Sequence, residues 1–141
     1  MNNLIGSYQH TLDAKGRVFL PAKYRESMGT SIYMTRGLEN CLYLFSETEW
    51  ENFSDKIKTL TIGNARNIQR IFLGNAAQSD VDGQGRIAIP QPLRAYAMLD
   101  KDVTVVGVSS RVEIWDTARW NSFNDEIDNE KLAEAFSLLG I

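Results

Sequence analysis

The chain repeats one pattern of residues about 70 positions apart, and this repeat constrains its fold more than any other feature. Residues 13–25 return as residues 82–94, with Asp, Gly, Arg, Pro and a second Arg in the same five slots. Apolar residues lie at matching places between the first Arg and the Pro of each segment. Two copies are too few for a solenoid, so the repeat predicts two halves related by a pseudo-twofold axis.

Composition bounds the class of protein. The 141 residues, 43% of them apolar, are enough for one domain with a real core. The sequence has no apolar run of about 18 residues and no basic leader followed by an apolar stretch, so we expect neither a membrane span nor secretion. The single cysteine, Cys41, excludes an intrachain disulfide, and its apolar surroundings favour a buried structural thiol in a reducing cytoplasm.

Charge is distributed unevenly along the chain, although the net charge is only −3. Residues 1–94 carry 11 Lys and Arg against 9 Asp and Glu, whereas residues 95–141 carry 4 against 9. Within residues 9–25, four cations accompany the single acid Asp13. A local positive potential can bind phosphate whatever the total charge is, but four cations are also compatible with an ordinary solvated surface.

Each copy predicts a strand, a tight turn, a strand, a short helix, two more strands and a longer helix. The glycines Gly16, Gly83 and Gly85 are suited to a positive φ in the tight turns. Pro21 and Pro90 each end a strand and suit the first position of a helix. The predicted strands are 7–12, 17–20, 32–36 and 42–45, then 78–81, 86–89, 103–108 and 112–115; the short helices are 22–28 and 91–98.

The longer helices carry start signals and apolar stripes. Ser46 and Asp116 are expected to cap one helix in each copy, and Asn64 a further helix in the unrepeated linker. Helical spacing places the aromatic and apolar residues on one face in each copy, either in the core or at a subunit interface. A last amphipathic segment is expected to dock on its own body or on a neighbouring subunit. These stripes are Trp50/Phe53/Ile57, Trp120/Phe123/Ile127 and Leu132/Phe136/Leu139.

Catalytic and metal-binding chemistry find little support in the sequence. The single histidine, His10, and Cys41 lie in no nucleophile motif and have no metal-ligand spacing. The pair Gly83 and Gly85 follows a strand but leads into another strand, so no dinucleotide or Walker loop is formed. We therefore expect no catalytic residues, no metal and no cofactor.

The doubled Asp-x-x-x-Arg turn is the remaining candidate for a functional site. In a structural interpretation, the Asp caps the turn and forms an exposed ion pair with the Arg. In a functional interpretation, the turn presents Arg17 and Arg86, together with Lys15, to a duplex. Arginine can bind a phosphate or the O6/N7 edge of guanine bidentately, and a two-stranded ribbon fits the major groove. The turn alone does not decide between these interpretations.

The wider pattern resembles the MraZ family of bacterial transcriptional regulators. The resemblance is carried by residues 8–17 (Tyr-Gln-His-Thr-Leu-Asp-Ala-Lys-Gly-Arg), 21–25 (Pro-Ala-Lys-Tyr-Arg) and 35–38 (Thr-Arg-Gly-Leu), and by 85–86, 93–94 and 112–115. That family is a tandem version of the AbrB/SpoVT/MazE swapped-hairpin module. The resemblance implies an α+β, β-rich double-split (swapped-hairpin) β-barrel of two tandem pseudo-symmetric repeats with flanking helices. It also implies a ring-shaped homo-oligomer that binds short direct repeats upstream of the division and cell-wall gene cluster, which includes its own gene.

These observations predict a cytoplasmic, nucleoid-associated regulator that binds double-stranded DNA and is not an enzyme; an oligomeric structural or antitoxin-like protein is the alternative. Repeats at 7–49 and 76–119 are expected to form one structural domain with a helical linker, 50–75, and a C-terminal extension, 120–141. The predicted DNA-binding residues are Lys15, Arg17, Gln84 and Arg86, and the predicted turn-supporting residues are Asp13, Gly16, Asp82 and Gly85. Because the second copy has Gln84 where the first has Lys15, we expect the two turns to contact DNA unequally.

Overall fold

A computed structural model describes residues 3–61 and 63–141, which form eight strands and six helices. The strands are β1 (Leu4–Thr11), β2 (Arg17–Phe19), β3 (Ser31–Arg36), β4 (Leu42–Phe45), β5 (Ala77–Asp80), β6 (Arg86–Ala88), β7 (Asp102–Ser109) and β8 (Arg111–Asp116). The helices are α1 (Ala22–Met28), α2 (Glu47–Lys58), α3 (Ala65–Phe72), α4 (Gln91–Tyr96), α5 (Thr117–Glu126) and α6 (Asn129–Leu138). Ile62, in the predicted linker, lies outside the described residues.

The larger sheet is antiparallel and interleaves the two copies. Its strand order is β1-β7-β8-β4-β3-β5. Strand β1 of the first copy pairs with β7 of the second, from Leu4 opposite Ser109 to Thr11 opposite Asp102. Strand β5 of the second copy pairs in turn with β3 of the first. Each copy therefore supplies an edge strand to the other, and the pseudo-twofold axis lies between β4 and β8.

The smaller sheet is a two-stranded ribbon made of one strand from each copy. Strands β2 and β6 are antiparallel, with Val18 opposite Ile87. The ribbon is extended at both ends, because the Leu20 N–H donates to the Gly85 carbonyl at 2.9 Å and the Ile89 N–H to the Gly16 carbonyl at 2.8 Å. These reciprocal bonds tie each copy to the tight turn of the other.

The main core lies between the ribbon, the large sheet and the short helices α1 and α4. Val18 and Ile87 point inward from the ribbon and are each 1% exposed. Tyr24 of α1 is fully buried, and its hydroxyl lies 2.6 Å from the Gly6 carbonyl oxygen and 2.8 Å from that of Ile5. Its counterpart in α4 is the apolar Leu93, so this tether to edge strand β1 exists in one copy only.

The observed class is mixed α+β with two repeats, as predicted. Among the described residues, the hydrogen-bonded strands form an open six-stranded sheet and a separate ribbon. Most predicted elements are confirmed to within a few residues, including the two short helices after Pro21 and Pro90. Strand β1 begins at Leu4, three residues before the predicted start, because its first residues pair with the end of β7. None of the described helices is both long and apolar enough to cross a bilayer.

The longer helices begin as expected in two cases out of three. The Ser46 side chain accepts from the Glu49 N–H at 3.2 Å, and that of Asp116 accepts from the Arg119 N–H at 3.3 Å. Asn64 stands at the N-cap position, directly before α3, but its side chain makes no capping hydrogen bond. The prediction of a side-chain cap at Asn64 is therefore wrong, since the residue is not in the extended conformation that presents a capping oxygen (φ −88°, ψ 21°).

The apolar stripes differ in what they contact. The stripe on α2 packs within the chain: Trp50 stacks on Tyr33 at 5.6 Å, and Phe53 stacks on Phe45 at 4.7 Å. The stripe on α6 does not, since Phe136 remains 52% exposed and no residue of this helix is buried. The α6 stripe therefore presents apolar surface to solvent.

Candidate nucleic-acid interface

The two tight turns are built alike, and an aspartate organises each of them. The Asp13 carboxylate accepts hydrogen bonds at 2.9 Å from the backbone N–H groups of Lys15 and Arg17, and at 2.8 Å from Arg17 Nε. Asp82 accepts the corresponding three bonds at 2.9 Å, from the Gln84 and Arg86 N–H groups and from Arg86 Nε. Each carboxylate thus holds both the turn and the arginine that follows it.

Glycine closes each turn. Gly16 and Gly85 adopt positive φ angles of 78° and 83°, and their N–H groups donate to the Asp13 and Asp82 carbonyls at 3.0 Å. A side chain at either position would be strained, so glycine is required there. The prediction of a positive φ at Gly83 is wrong. Gly83 matches Ala14 of the first turn, so this position has a backbone conformation that residues other than glycine adopt.

Both aspartates are held in the ionised form. The backbone N–H of Arg17 is the largest cause that lowers the pKa of Asp13 below its ordinary value, and the N–H of Arg86 does the same for Asp82. Each turn therefore carries a carboxylate beside its arginine at neutral pH. This negative charge offsets part of the positive potential that the arginines contribute.

The cations of the two turns are not equivalent. Arg86 is paired with Asp82 at 2.9 Å and also lies 3.9 Å from Asp13, and its side chain is 19% exposed. Among the residues that the structure describes, Arg17 is paired with Asp13 alone, and its side chain is 32% exposed. Lys15 is exposed at the turn tip, and no carboxylate of the described residues lies within ion-pair distance of it. Gln84 occupies the matching position in the second turn and carries no charge.

Two further arginines, which sequence reasoning did not assign to the site, support the turns from across the pseudo-twofold axis. A Cβ placed on Gly85 would lie 2.8 Å from Arg25 Cζ, and one placed on Gly16 would overlap the Arg94 guanidinium. Arg25 also donates through Nε to the Leu20 carbonyl at 2.9 Å. Both residues occupy the last repeated slot of the Asp…Arg pattern, and this recurrence is the signal that could have identified them.

Other chemistry has little structural basis in the described residues. They contain no group of three or more His, Cys, Asp or Glu side chains arranged to hold a metal ion. The expected burial of Cys41 is confirmed: the residue is 1% exposed, and burial raises the pKa of its thiol to about 12. A thiol in this state is a poor nucleophile because almost none of it is deprotonated near neutral pH.

Comparison with known proteins identifies the family. The model of the MraZ family, described as "MraZ protein, putative antitoxin-like", matches twice, at residues 4–71 and 72–138. The transcriptional regulator MraZ of Acetivibrio thermocellus is 47% identical over 140 residues, which cover 96% of this chain and 98% of the relative. That of Clostridium tetani is 44% identical over 140 residues, with 97% and 99% covered. The chain belongs to the MraZ family.

Similarity among solved structures is much weaker. The solution structure of PHS018 from Pyrococcus horikoshii aligns with 76% of this chain and 92% of that protein, at 15% sequence identity and a TM-score of 0.35. A match of this quality supports no statement about fold or function.

Proposed function

We propose that this protein is a sequence-specific DNA-binding transcriptional regulator and not an enzyme. The observation that carries the proposal is the ribbon of β2 and β6. At its opposite ends lie two turns with matching hydrogen bonds, which carry Lys15, Arg17 and Arg86. A two-stranded ribbon fits the major groove, and arginine side chains bind phosphate or the guanine edge. The names of the relatives, transcriptional regulators that align over 98% and 99% of their own length, point to the same function.

The geometry favours DNA contact through both turns, with the first turn dominant. In the second turn, Arg86 is shared between two carboxylates and Gln84 adds no charge, whereas in the first turn Lys15 is an exposed cation. Counterions are released from DNA when cationic side chains neutralise its phosphates. The first turn therefore supplies more of the electrostatic attraction. The aspartates and glycines of the turns serve as supports for these side chains.

The proposal also includes a specific fold, specific DNA targets and an oligomeric state. We take the two sheets as a double-split, swapped-hairpin barrel formed by repeats 7–49 and 76–119, with 50–75 and 120–141 as helical additions. The targets are short direct repeats upstream of the division and cell-wall gene cluster, including the protein's own gene, and the protein acts at the nucleoid. The exposed α6 stripe is consistent with a closed homo-oligomer, since apolar surface of this kind is typical of subunit contacts.

The primary test is binding to a duplex from directly upstream of the protein's own gene, measured by gel shift and fluorescence anisotropy. Arg17→Ala is expected to weaken binding by roughly 1–3 kcal/mol per subunit contact, with thermal stability retained. Arg66→Ala is the matched control, because Arg66 is exposed on α3, away from the ribbon, and loses the same charge. Unchanged affinity for Arg17→Ala would exclude this turn from the interface.

A second test concerns the assembly. The turns of one subunit offer few cations to the DNA, so the affinity for a single DNA box is expected to be slight. A closed oligomer gains avidity only on boxes whose spacing matches that of its turns. The measurement compares one box with two boxes at native spacing and at spacing shifted by half a helical turn. Equal affinity for all three duplexes would contradict an assembly that reads repeated sites.

The alternative function is an oligomeric, antitoxin-like interaction protein, and the description of the matching family model as "putative antitoxin-like" is the observation that favours it. In that case the turns serve assembly, and Arg17→Ala alters the subunit count measured by light scattering. The DNA-binding proposal expects the subunit count to be unchanged by Arg17→Ala.

A further inference from the structure

The outer face of the ribbon carries an aromatic side chain among its cations. Side chains alternate along a strand, so Arg17 and Phe19 point outward from β2 while Val18 points into the core. Across the ribbon, Arg17 lies opposite Ala88 and Phe19 lies opposite Arg86. Phe19 is 47% exposed. The surface proposed to face DNA is therefore two guanidinium groups with a phenyl ring beside them.

The fold itself does not require an aromatic residue at this position. The second copy has Ala88 in the slot of Phe19, within the same ribbon and the same register. It also has Ser79 in the slot of His10, and the Ser79 hydroxyl accepts from the Ala88 N–H at 3.2 Å. In the first copy the His10 ring lies beside Phe19, with ring centroids 6.4 Å apart and the planes tilted by 41°. Phe19 thus adds exposed apolar surface that its counterpart lacks.

The major groove offers one prominent apolar group, the 5-methyl of thymine, and apolar side chains contact it there. We infer that Phe19 contacts a thymine methyl and selects an A·T pair at one position of the DNA box, while Ala88 makes no equivalent contact. This inference rests on the proposed DNA-binding function. It goes beyond it by making the two halves of one subunit read different sequences, although their turns are built alike.

Strand geometry sets where this thymine lies. Phe19 is two residues from Arg17 on one face of β2, a distance of roughly 7 Å at about 3.3 Å per residue. Stacked bases along one DNA strand are about 3.4 Å apart. With β2 aligned along one DNA strand, the selected thymine is about two base pairs from the nucleotide that Arg17 contacts.

The experiment removes the methyl group and the ring separately and together. The wild-type protein first selects its box from a randomised duplex library, and each thymine of that box is then replaced singly by deoxyuridine, which lacks only the methyl. We expect one replacement per box to weaken wild-type binding about fourfold, the effect of one buried methyl. Phe19→Ala is expected to bind the unmodified box more weakly and to be indifferent to that replacement.

Two further measurements separate this contact from electrostatic or structural effects. Phe19→Ala is expected to leave the salt dependence of binding, the thermal midpoint and the subunit count unchanged, because no charge is lost and alanine is already tolerated in the second copy. Phe19→Leu, which keeps an apolar side chain, is expected to retain part of the response to deoxyuridine. Ala88→Phe is expected to create sensitivity at a second thymine.

Several results would overturn the inference. A wild-type profile that is flat across all deoxyuridine replacements would exclude a methyl contact even if Phe19→Ala fails to fold. The same profile in wild type and Phe19→Ala would assign the methyl contact to another residue. A changed subunit count in Phe19→Ala would make the ring a protein–protein contact. Failure of the wild-type protein to enrich any box would refute the proposed function itself, and the inference with it.

Discussion

The two turns differ by one charge, and exchanging that charge tests how the protein binds DNA. Lys15→Gln makes the first turn like the second, and Gln84→Lys makes the second like the first. Both positions have the same backbone geometry, because each N–H donates to the turn aspartate at 2.9 Å. The exchange therefore alters a side-chain charge at a turn tip while the hydrogen bonds of the turn are kept.

The magnitude follows from counterion release. The logarithm of the affinity falls with the logarithm of salt concentration by about 0.9 for each phosphate neutralised on duplex DNA. If Lys15 contacts one phosphate, Lys15→Gln lowers the slope by about 0.9 per bound subunit, and affinity between roughly 50 and 200 mM salt then falls about 3.5-fold less per contact. Two bound subunits double the change in slope, so the slope also reports how many first turns touch the duplex.

Arg86→Gln provides the internal comparison. Arg86 is the less exposed arginine and lies near both carboxylates, at 2.9 Å from Asp82 and 3.9 Å from Asp13, so its charge is already partly neutralised before DNA is bound. Its loss is therefore expected to change the slope less than the loss of Lys15. Gln84→Lys is expected to steepen the slope, and the double exchange to restore the wild-type value.

The assay is fluorescence anisotropy of one labelled duplex titrated at several NaCl concentrations, with each variant's thermal midpoint as a folding control. An unchanged slope in Lys15→Gln would remove this lysine from the interface. A larger loss of slope from Arg86→Gln than from Lys15→Gln would refute the assignment of the dominant electrostatic contact to the first turn.

Three further predictions concern stability, reactivity and pH. Tyr24→Phe is expected to lower the free energy of unfolding by about 1–2 kcal/mol in urea denaturation, since it removes a buried hydrogen bond to edge strand β1. An unchanged denaturation midpoint would show that this hydrogen bond does not stabilise the fold. Cys41, whose thiol pKa is raised to about 12, is expected to react with a thiol reagent at about pH 8 only after the protein unfolds. Because the folded pKa lies above the unfolded one, the contribution of this thiol to stability is complete below the unfolded pKa and is lost as pH rises toward 12. Because the pKa of Asp13 is lowered, its ionised carboxylate stabilises the folded turn above the ordinary pKa of 3.8, and this stabilisation is lost as pH falls through the folded pKa. Asn cannot titrate at this position, so an acid titration followed on the turn residues is expected to show the Asp13 transition in wild type and to lack it in Asp13→Asn.

Local structure was predictable because local chemistry determines it. The Asp…Gly turns, the helices after Pro21 and Pro90 and the cap at Ser46 each depend on residues within four positions of one another. The sequence also identified Lys15 and Arg17 as exposed or partly exposed cations beside a turn. Such features need no knowledge of the rest of the chain.

The remaining features depend on contacts between distant segments. Strand β1 extends to Leu4 only because β7 is available as its partner, and no periodicity in residues 4–11 encodes that partner. Helical spacing alone does not decide whether the α2 stripe faces the core or a neighbouring subunit. The contacts of Trp50 with Tyr33 and of Phe53 with Phe45, both residues of distant strands, decide it. The sequence did not indicate the positions of Arg25 and Arg94, because each lies against the turn glycine of the opposite copy, far away along the chain.

The pairing of β1 with β7 has a consequence for how the protein is made. Leu4 and Ser109 are separated by about 100 residues, and chains are synthesised at about 5–20 residues per second. The first strand therefore emerges from the ribosome roughly 5–20 seconds before its partner exists, with its backbone donors and acceptors unpaired. Neighbouring nascent chains on one messenger RNA can supply that partner to each other, so co-translational exchange of strands is the misassembly to which this topology is most exposed.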